Sequence, residues 1–191
     1  NNIQDFRKTS SKYLMPNLSK VKKIRKELLD KDRDILIGIS WKSGSKTDTL
    51  SNEKSIELIE LAKVLNFKRI KLVNLQYGNN KKEFKNLEKY HSIKIADFSS
   101  IDIYNDIDGL ASLIEACDEI VTVDNFINHL AGAIGKKTHV LLPFSCEWRW
   151  GINQQKSYWH ESINLYQQSE IADWELPLSS LIIELKKSLK I

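Results

Sequence analysis

Three side chains able to do chemistry stand together in EIVTVDNFINHLAGAIGKKTHVLLP, residues 119–143. A β-branched, apolar run ends at Asp124 and Asn125, and His129 follows four residues after Asn125. Where a strand turns into a helix, the first N–H groups of the helix lack partners. Asp124 or Asn125 satisfies one of them as an N-cap, which is a sufficient structural use of either. The same N–H groups, at the positive end of the helix dipole, also receive anions. Residues four apart share a helix face, so Asn125 and His129 project together. The small residues Ala131, Gly132 and Ala133 let this helix approach a sheet closely. A pyrophosphate could rest on such a helix start, with an acid in front and an imidazole behind. The alternative is a capped helix with a packed histidine.

Two further apolar runs end in polar residues. GISWKSGSKTDTLSNEKSI passes from Ser40, Trp41 and Lys42 into a polar loop with Gly44, Lys46 and Lys54, before a helix expected near Ser55. Lysines beside free helix N–H groups can bind phosphate; an ordinary surface loop is the alternative. Neither G-x-x-x-x-G-K-[ST] nor G-x-G-x-x-G is present, which argues against a Walker loop and a nicotinamide fingerprint. In NLQYG, Gln76 emerges past a run that Gly78 turns. Its amide could read a base or a sugar, or simply be solvated.

Positioning these three ends requires a regular scaffold, and the pattern supplies one. DILIGIS is a continuous apolar run, as expected of a strand buried on both faces. SIELIELAKVLNF has helical spacing, RIKLVNLQYG reads as a strand, NKKEFKNLEKYH as a helix and IKIADF as a short strand. DIDGLASLIEACD is a helix with Asp106 as N-cap, EIVTVD a fourth strand, NFINHLAGAIG a helix closed by Gly135, and THVLLP a fifth strand. SINLYQQ reads as a short last strand and LPLSSLIIELKKSLKI as a terminal helix. Strands alternating with helix-length spacers predict an α/β fold, a doubly wound, mostly parallel Rossmann-like sheet with helices on both faces. In such sheets ligands bind outside the carboxyl ends of the strands. Residues 1–33 read as an N-terminal arm and a connecting helix, with apolar spacing at Leu18, Val21, Ile24 and Leu28; residues 34–191 read as the sheet domain.

Composition sets outer bounds. At 191 residues, 41% hydrophobic and 28% charged, the chain has the make-up of one large globular domain or one lobe of a larger protein. The net charge of +4 comes from dispersed lysines mixed with Asp and Glu, a solvated surface rather than a nucleic-acid footprint. No run reaches the roughly 18 apolar residues of a membrane span. The N-terminus has neither Met nor a signal core, so the chain reads as a fragment. Cys117 and Cys146 have no metal-ligand spacing, and two lone thiols suit a reducing, cytoplasmic setting. Cys117, at the end of an apolar helix pattern, reads as buried.

The segment D-N-x-x-x-H-L-A-G-A-I-G-K, followed by a strand and LLPF-x-x-x-W-R-W, closely resembles the C-terminal half of heptosyltransferase-like GT-B glycosyltransferases. It looks most like the branch at the end of bacterial tetratricopeptide-repeat proteins. IGISWKSG, KSIELIELAKVL, LVNLQYG and DIYNDIDGLASLIEACDEIVTVDN match as well, and YLMPNLSKVKKIRKELL resembles the start of this lobe. Together they cover most of residues 13–175.

The resemblance implies a nucleotide-diphosphate-sugar-binding lobe of an inverting transferase, incomplete without its N-terminal half and not expected to be active alone. It assigns donor binding to Asp124, Asn125 and His129, to Lys54, and to Ser40, Trp41 and Lys42. Gln76 and Arg149, the latter inside EWRW, join them as candidates, although an Arg between Trp148 and Trp150 could equally be structural. The general base is expected in the N-terminal lobe, and neither a cofactor nor a metal is implied. The nucleotide sugar would be the small-molecule partner, and the N-terminal lobe or a repeat domain the protein partner. Asn125, Phe126 and Asn128 depart from the family's usual small or hydroxyl residues. With Trp148, Trp150, Trp159 and Trp174 in view, Phe126 motivates an alternative: a catalytically degenerate lobe that binds other proteins.

Overall fold

The computed structural model describes residues 12–30, 34–44 and 53–191. Lys46 and most of the N-terminal arm lie outside the described residues. Six strands form one sheet: β1 (Ile35–Ser40), β2 (Ile70–Asn74), β3 (Ile95–Ala96), β4 (Glu119–Val123), β5 (Thr138–Leu142) and β6 (Ile163–Gln167). Their order is β3-β2-β1-β4-β5-β6 and every pairing is parallel. The chain winds outward from β1 in one direction and from β4 in the other, so the topological switch lies between them.

β1, β4 and β5 are buried at every position, which is why they read as unbroken apolar runs. Alternate residues feed opposite layers. Ile35, Ile37, Ile39, Val121 and Val123 face α2 (Leu58–Val64), α3 (Lys81–His91) and α6 (Glu175–Leu189). Leu36, Val73 and Ile120 face α1 (Leu18–Leu28), α4 (Ile107–Ala116) and α5 (Phe126–Ile134). Gly38 allows this second layer to close: a Cβ there would sit 2.5 Å from Leu75 Cδ1 and 2.8 Å from Ile120 Cδ1. Cys117 is buried in the same layer, and burial pushes its thiol up to about 12.

Helix ends follow local chemistry. Asn17 caps α1 through Ser19 and Lys20 N–H, and Asp106 caps α4 through Gly109 N–H. Gly135, at φ 79°, closes α5 in the left-handed conformation. α1 lies along α4 and contributes Ile24 and Leu28 to the apolar layer; Arg25 donates to Ala116 O and pairs with Asp118. The helix expected near Ser55 begins at Leu58, where Glu57 makes no side-chain cap. β3 is only two residues long; just beyond it the Asp97 carboxylate accepts from Asn74 Nδ2, and the chain turns at residues 98–101.

A polar network crosses the amino-terminal end of the sheet. The wholly buried His139 lies 2.7 Å from Glu119 Oε2 through Nε2 and 2.8 Å from the Tyr166 hydroxyl through Nδ1. Ser188 on α6 donates to Glu119, and Lys137 lies 3.3 Å from the same carboxylate. Burial alone would raise the Glu119 carboxyl, but bonds from His139 and Ser188, with Lys137 nearby, carry it below its ordinary value.

Candidate functional site

β1 and β4 are register partners at Ser40 and Thr122, so their carboxyl ends open together at the switch point. Asn125 is the N-cap of α5: its Oδ1 accepts from Ile127 N–H at 2.9 Å. Its Nδ2 donates to Ser40 Oγ at 2.8 Å and to Lys42 O at 3.1 Å, which ties the helix start to the β1 loop. Asp124 is buried; its Oδ1 accepts from Asn128 Nδ2 at 3.1 Å and its Oδ2 from the Trp150 indole at 2.9 Å. Ser43 Oγ donates to the Asp124 carbonyl. The acid at the strand end is therefore a hub that holds the WRW turn, itself a 3-10 helix at Trp148–Trp150, against α5.

His129 is half-buried one turn into α5, its ring stacked on Trp150 at 5.4 Å and 14°. Its Nε2 lies 3.4 Å from Arg149 Nη1, a long contact in which the imidazole accepts. Burial lowers its pKa; the Arg149 cation adds to that, while Asp124 and Glu147 oppose it. Burial and the guanidinium thus both favour the neutral imidazole. Arg149 pairs with Glu147, and Lys54 lies 3.7 Å from the same carboxylate. Two cations therefore share Glu147, and one of them reaches the imidazole on the first turn of α5.

The remaining expected residues have internal uses. Gln76 is buried, and its Oε1 accepts from Ser40 Oγ at 2.9 Å, Trp41 N–H at 3.0 Å and Lys42 N–H at 2.8 Å. Its oxygen shapes the loop and is not free to read a base. Trp41 is fully buried, with its indole donating to Glu83, so its ring has no face for a donor. The Lys42 ammonium pairs with Glu83 on α3, on the β2 side of the switch. Asp124, Asn125, His129, Lys54, Arg149 and Ser40 converge; Trp41, Gln76 and the Lys42 side chain support the frame.

Sequence reasoning missed Glu147, Ser43 and His160. His160 is buried against Gly132 and its ring centroid lies 6.0 Å from that of His129. Only the EWRW context hinted at Glu147, and nothing local marked His160. A cleft of about 380 Å³ opens nearby, at the ends of β2 and β3, lined in part by Gln76, Asn80, Asp97, Tyr77 and Tyr104. Among the described residues, no three His, Cys, Asp or Glu side chains form a metal-holding group. No described helix is long and apolar enough to cross a membrane.

No family model matches the chain. Solved structures share its architecture. The E. coli ADP-heptose LPS heptosyltransferase II superposes with a TM-score of 0.62 at 18% identity, covering 93% of this chain and 53% of that one. The fold is heptosyltransferase-like. A glycosyl transferase of family 9 from Veillonella parvula gives 0.58 at 16% identity, covering 95% and 47%. The curated protein FlbA of Caulobacter vibrioides is 26% identical over 164 residues, 85% of this chain and 27% of FlbA. The chain spans about half of each solved transferase and about a quarter of FlbA.

Proposed function

We propose that this chain is the nucleotide-diphosphate-sugar-binding lobe of a bacterial inverting glycosyltransferase, whose reaction requires a second lobe. One observation carries the reading: at the switch point Arg149 reaches His129 on the first turn of α5, and Glu147 brings Lys54 beside Arg149. The diphosphate would lie against the α5 N–H groups, within reach of those three side chains. Asp124 would hold the strand–helix junction and the Trp150 turn in shape. The nucleoside would extend toward the cleft at the ends of β2 and β3, between Tyr77 and Tyr104.

In the reaction an acceptor hydroxyl attacks the anomeric carbon from the face opposite the donor oxygen. The bond to the β-phosphate oxygen breaks, and the nucleoside diphosphate departs with the electron pair. A base outside this chain takes the hydroxyl proton. Negative charge grows on the β-phosphate as the bond breaks, so donors fixed around it stabilise the transition state more than the ground state. A neutral imidazole that gains a proton there would add to that difference.

Calorimetry on the full-length protein tests this. A nucleoside diphosphate should bind, with about ten- to hundredfold weaker affinity in His129→Ala and Arg149→Ala, the usual value of charge-assisted bonds. Failure of every nucleoside diphosphate to bind the folded protein defeats the reading.

The exposed Phe126, Phe144, Trp148 and Ile152 support a second reading, a lobe that docks another protein. Trp150 and Trp174 do not contribute to it, because both are buried core. Gel filtration showing only an unassociated chain, beside measurable nucleotide binding, decides against this second reading.

A further inference from the structure

One acidic side chain occupies the place where the cations of this site would meet a ligand. Glu147 Oε1 lies 3.7 Å from Lys54 Nζ, and Oε2 pairs with Arg149 Nη2. The other terminal guanidinium nitrogen, Nη1, is the one that reaches His129. A single carboxylate therefore holds two cations beside the imidazole. Lys54 and Glu147 come from loops far apart in the chain, so the pairing is a product of the fold.

We propose that Glu147 sets the charge selectivity of the site, standing as its internal anion until a ligand with two or more negative charges displaces it. The proposal rests on the reading above that the mouth of α5 takes a diphosphate. Glu147 brings one negative charge to two positive ones. A monoanion that took its place would make no better balance and would lose its own freedom of motion on binding. A diphosphate balances both cations and frees the carboxylate to turn into water.

The geometry suits a contact that opens. The side chains are 26% exposed at Lys54, 40% at Glu147 and 39% at Arg149. Partly solvated pairs hold weakly, whereas a fully buried pair would be costly to separate. Arg149 Nε is buried without a partner, so its present arrangement leaves the guanidinium incompletely satisfied.

The test is calorimetric titration of the full-length protein with inorganic pyrophosphate, alone and against rising nitrate. In Glu147→Gln, pyrophosphate should bind about three- to tenfold more tightly, as expected on releasing exposed pairs. Nitrate, a poor competitor in the wild type, should compete at correspondingly lower concentration. Glu147→Asp, which keeps the charge, should retain wild-type discrimination. Unchanged or weaker pyrophosphate binding in a folded Glu147→Gln, beside a wild type that binds, overturns the role of Glu147 alone. If neither form binds pyrophosphate or any nucleoside diphosphate, the diphosphate reading of the site falls and the role of Glu147 falls with it.

Discussion

Asp124 shows how one residue serves two ends. Its two oxygens each accept a bond from a different element, Asn128 on α5 and Trp150 on the turn after β5. Asp124→Asn keeps the shape but turns an NH₂ toward one of those donors. The expected loss is about 1–3 kcal/mol, the range for a buried donor left without its acceptor. A urea titration measures it, and the proposed nucleoside-diphosphate binding should weaken in parallel. The imidazoles make stability depend on pH. Burial lowers the pKa of His129 and of His160, the latter with a further contribution from His129 itself. The unfolded chain therefore binds more protons than the native one below pH about 6.5, where free histidine titrates. Their contribution is intact above that pH and is lost as pH falls through the native values. His160→Phe keeps an aromatic ring over Gly132, and should flatten the fall in urea midpoint between pH 7.5 and 5.5.

At the scale of elements, α5 depends on close approach. A Cβ on Gly132 would lie 2.4 Å from His160 Cγ and 2.7 Å from its Nδ1. That ring has little room to retreat, since Tyr13 stacks on it at 6.2 Å and the residue is buried. Gly132→Ala should cost about 1–3 kcal/mol, the usual cost of overpacking, and appear as a lowered melting temperature. Displacing His160 also disturbs His129 on the same helix, so anion affinity should drop with stability. The backbone N–H groups of Tyr13 and Leu14, both donating to Ala133 O, hold the segment before α1 in the same place. Of the elements expected from periodicity, the strands, α4, α5 and the caps at Asp106 and Gly135 match the fold. The start of α2 did not, because Ser55 and Ile56 follow the β1 loop instead: Ile56 N–H donates to Trp41 O and Ser55 Oγ accepts from Ser43 N–H.

Across the whole molecule, α6 closes one face of the sheet with Leu181 and Leu185, both fully buried. The Glu119–His139 pair sits beneath it, joined to α6 through Ser188 and through the Lys137–Glu184 contact. Glu119→Ala leaves the wholly buried His139 without its carboxylate partner and removes the acceptor of the half-buried Ser188. It should cost about 3 kcal/mol, measured by guanidinium unfolding, because breaking a buried pair strands its partner. The candidate site lies at the opposite ends of the strands, so a refolded Glu119→Ala should match the wild type in the proposed nucleoside-diphosphate binding. Loss of affinity at full occupancy of the folded state would contradict that separation.

Much of this molecule was legible in the order of its residues. Unbroken apolar runs and helical spacing depend on what each short segment must bury, so DILIGIS, EIVTVD and THVLLP announced central parallel strands, and Asp124, Asn125 and His129 announced a polar helix start. Which polar group bonds to which was decided elsewhere. Gln76 gathers the β1 loop, Trp41 is core, Glu147 stands between Lys54 and Arg149, and His160 packs behind His129. Those pairings join segments brought together only by the crossovers and the sheet order, and burial then decides whether a side chain faces a ligand or its own neighbours.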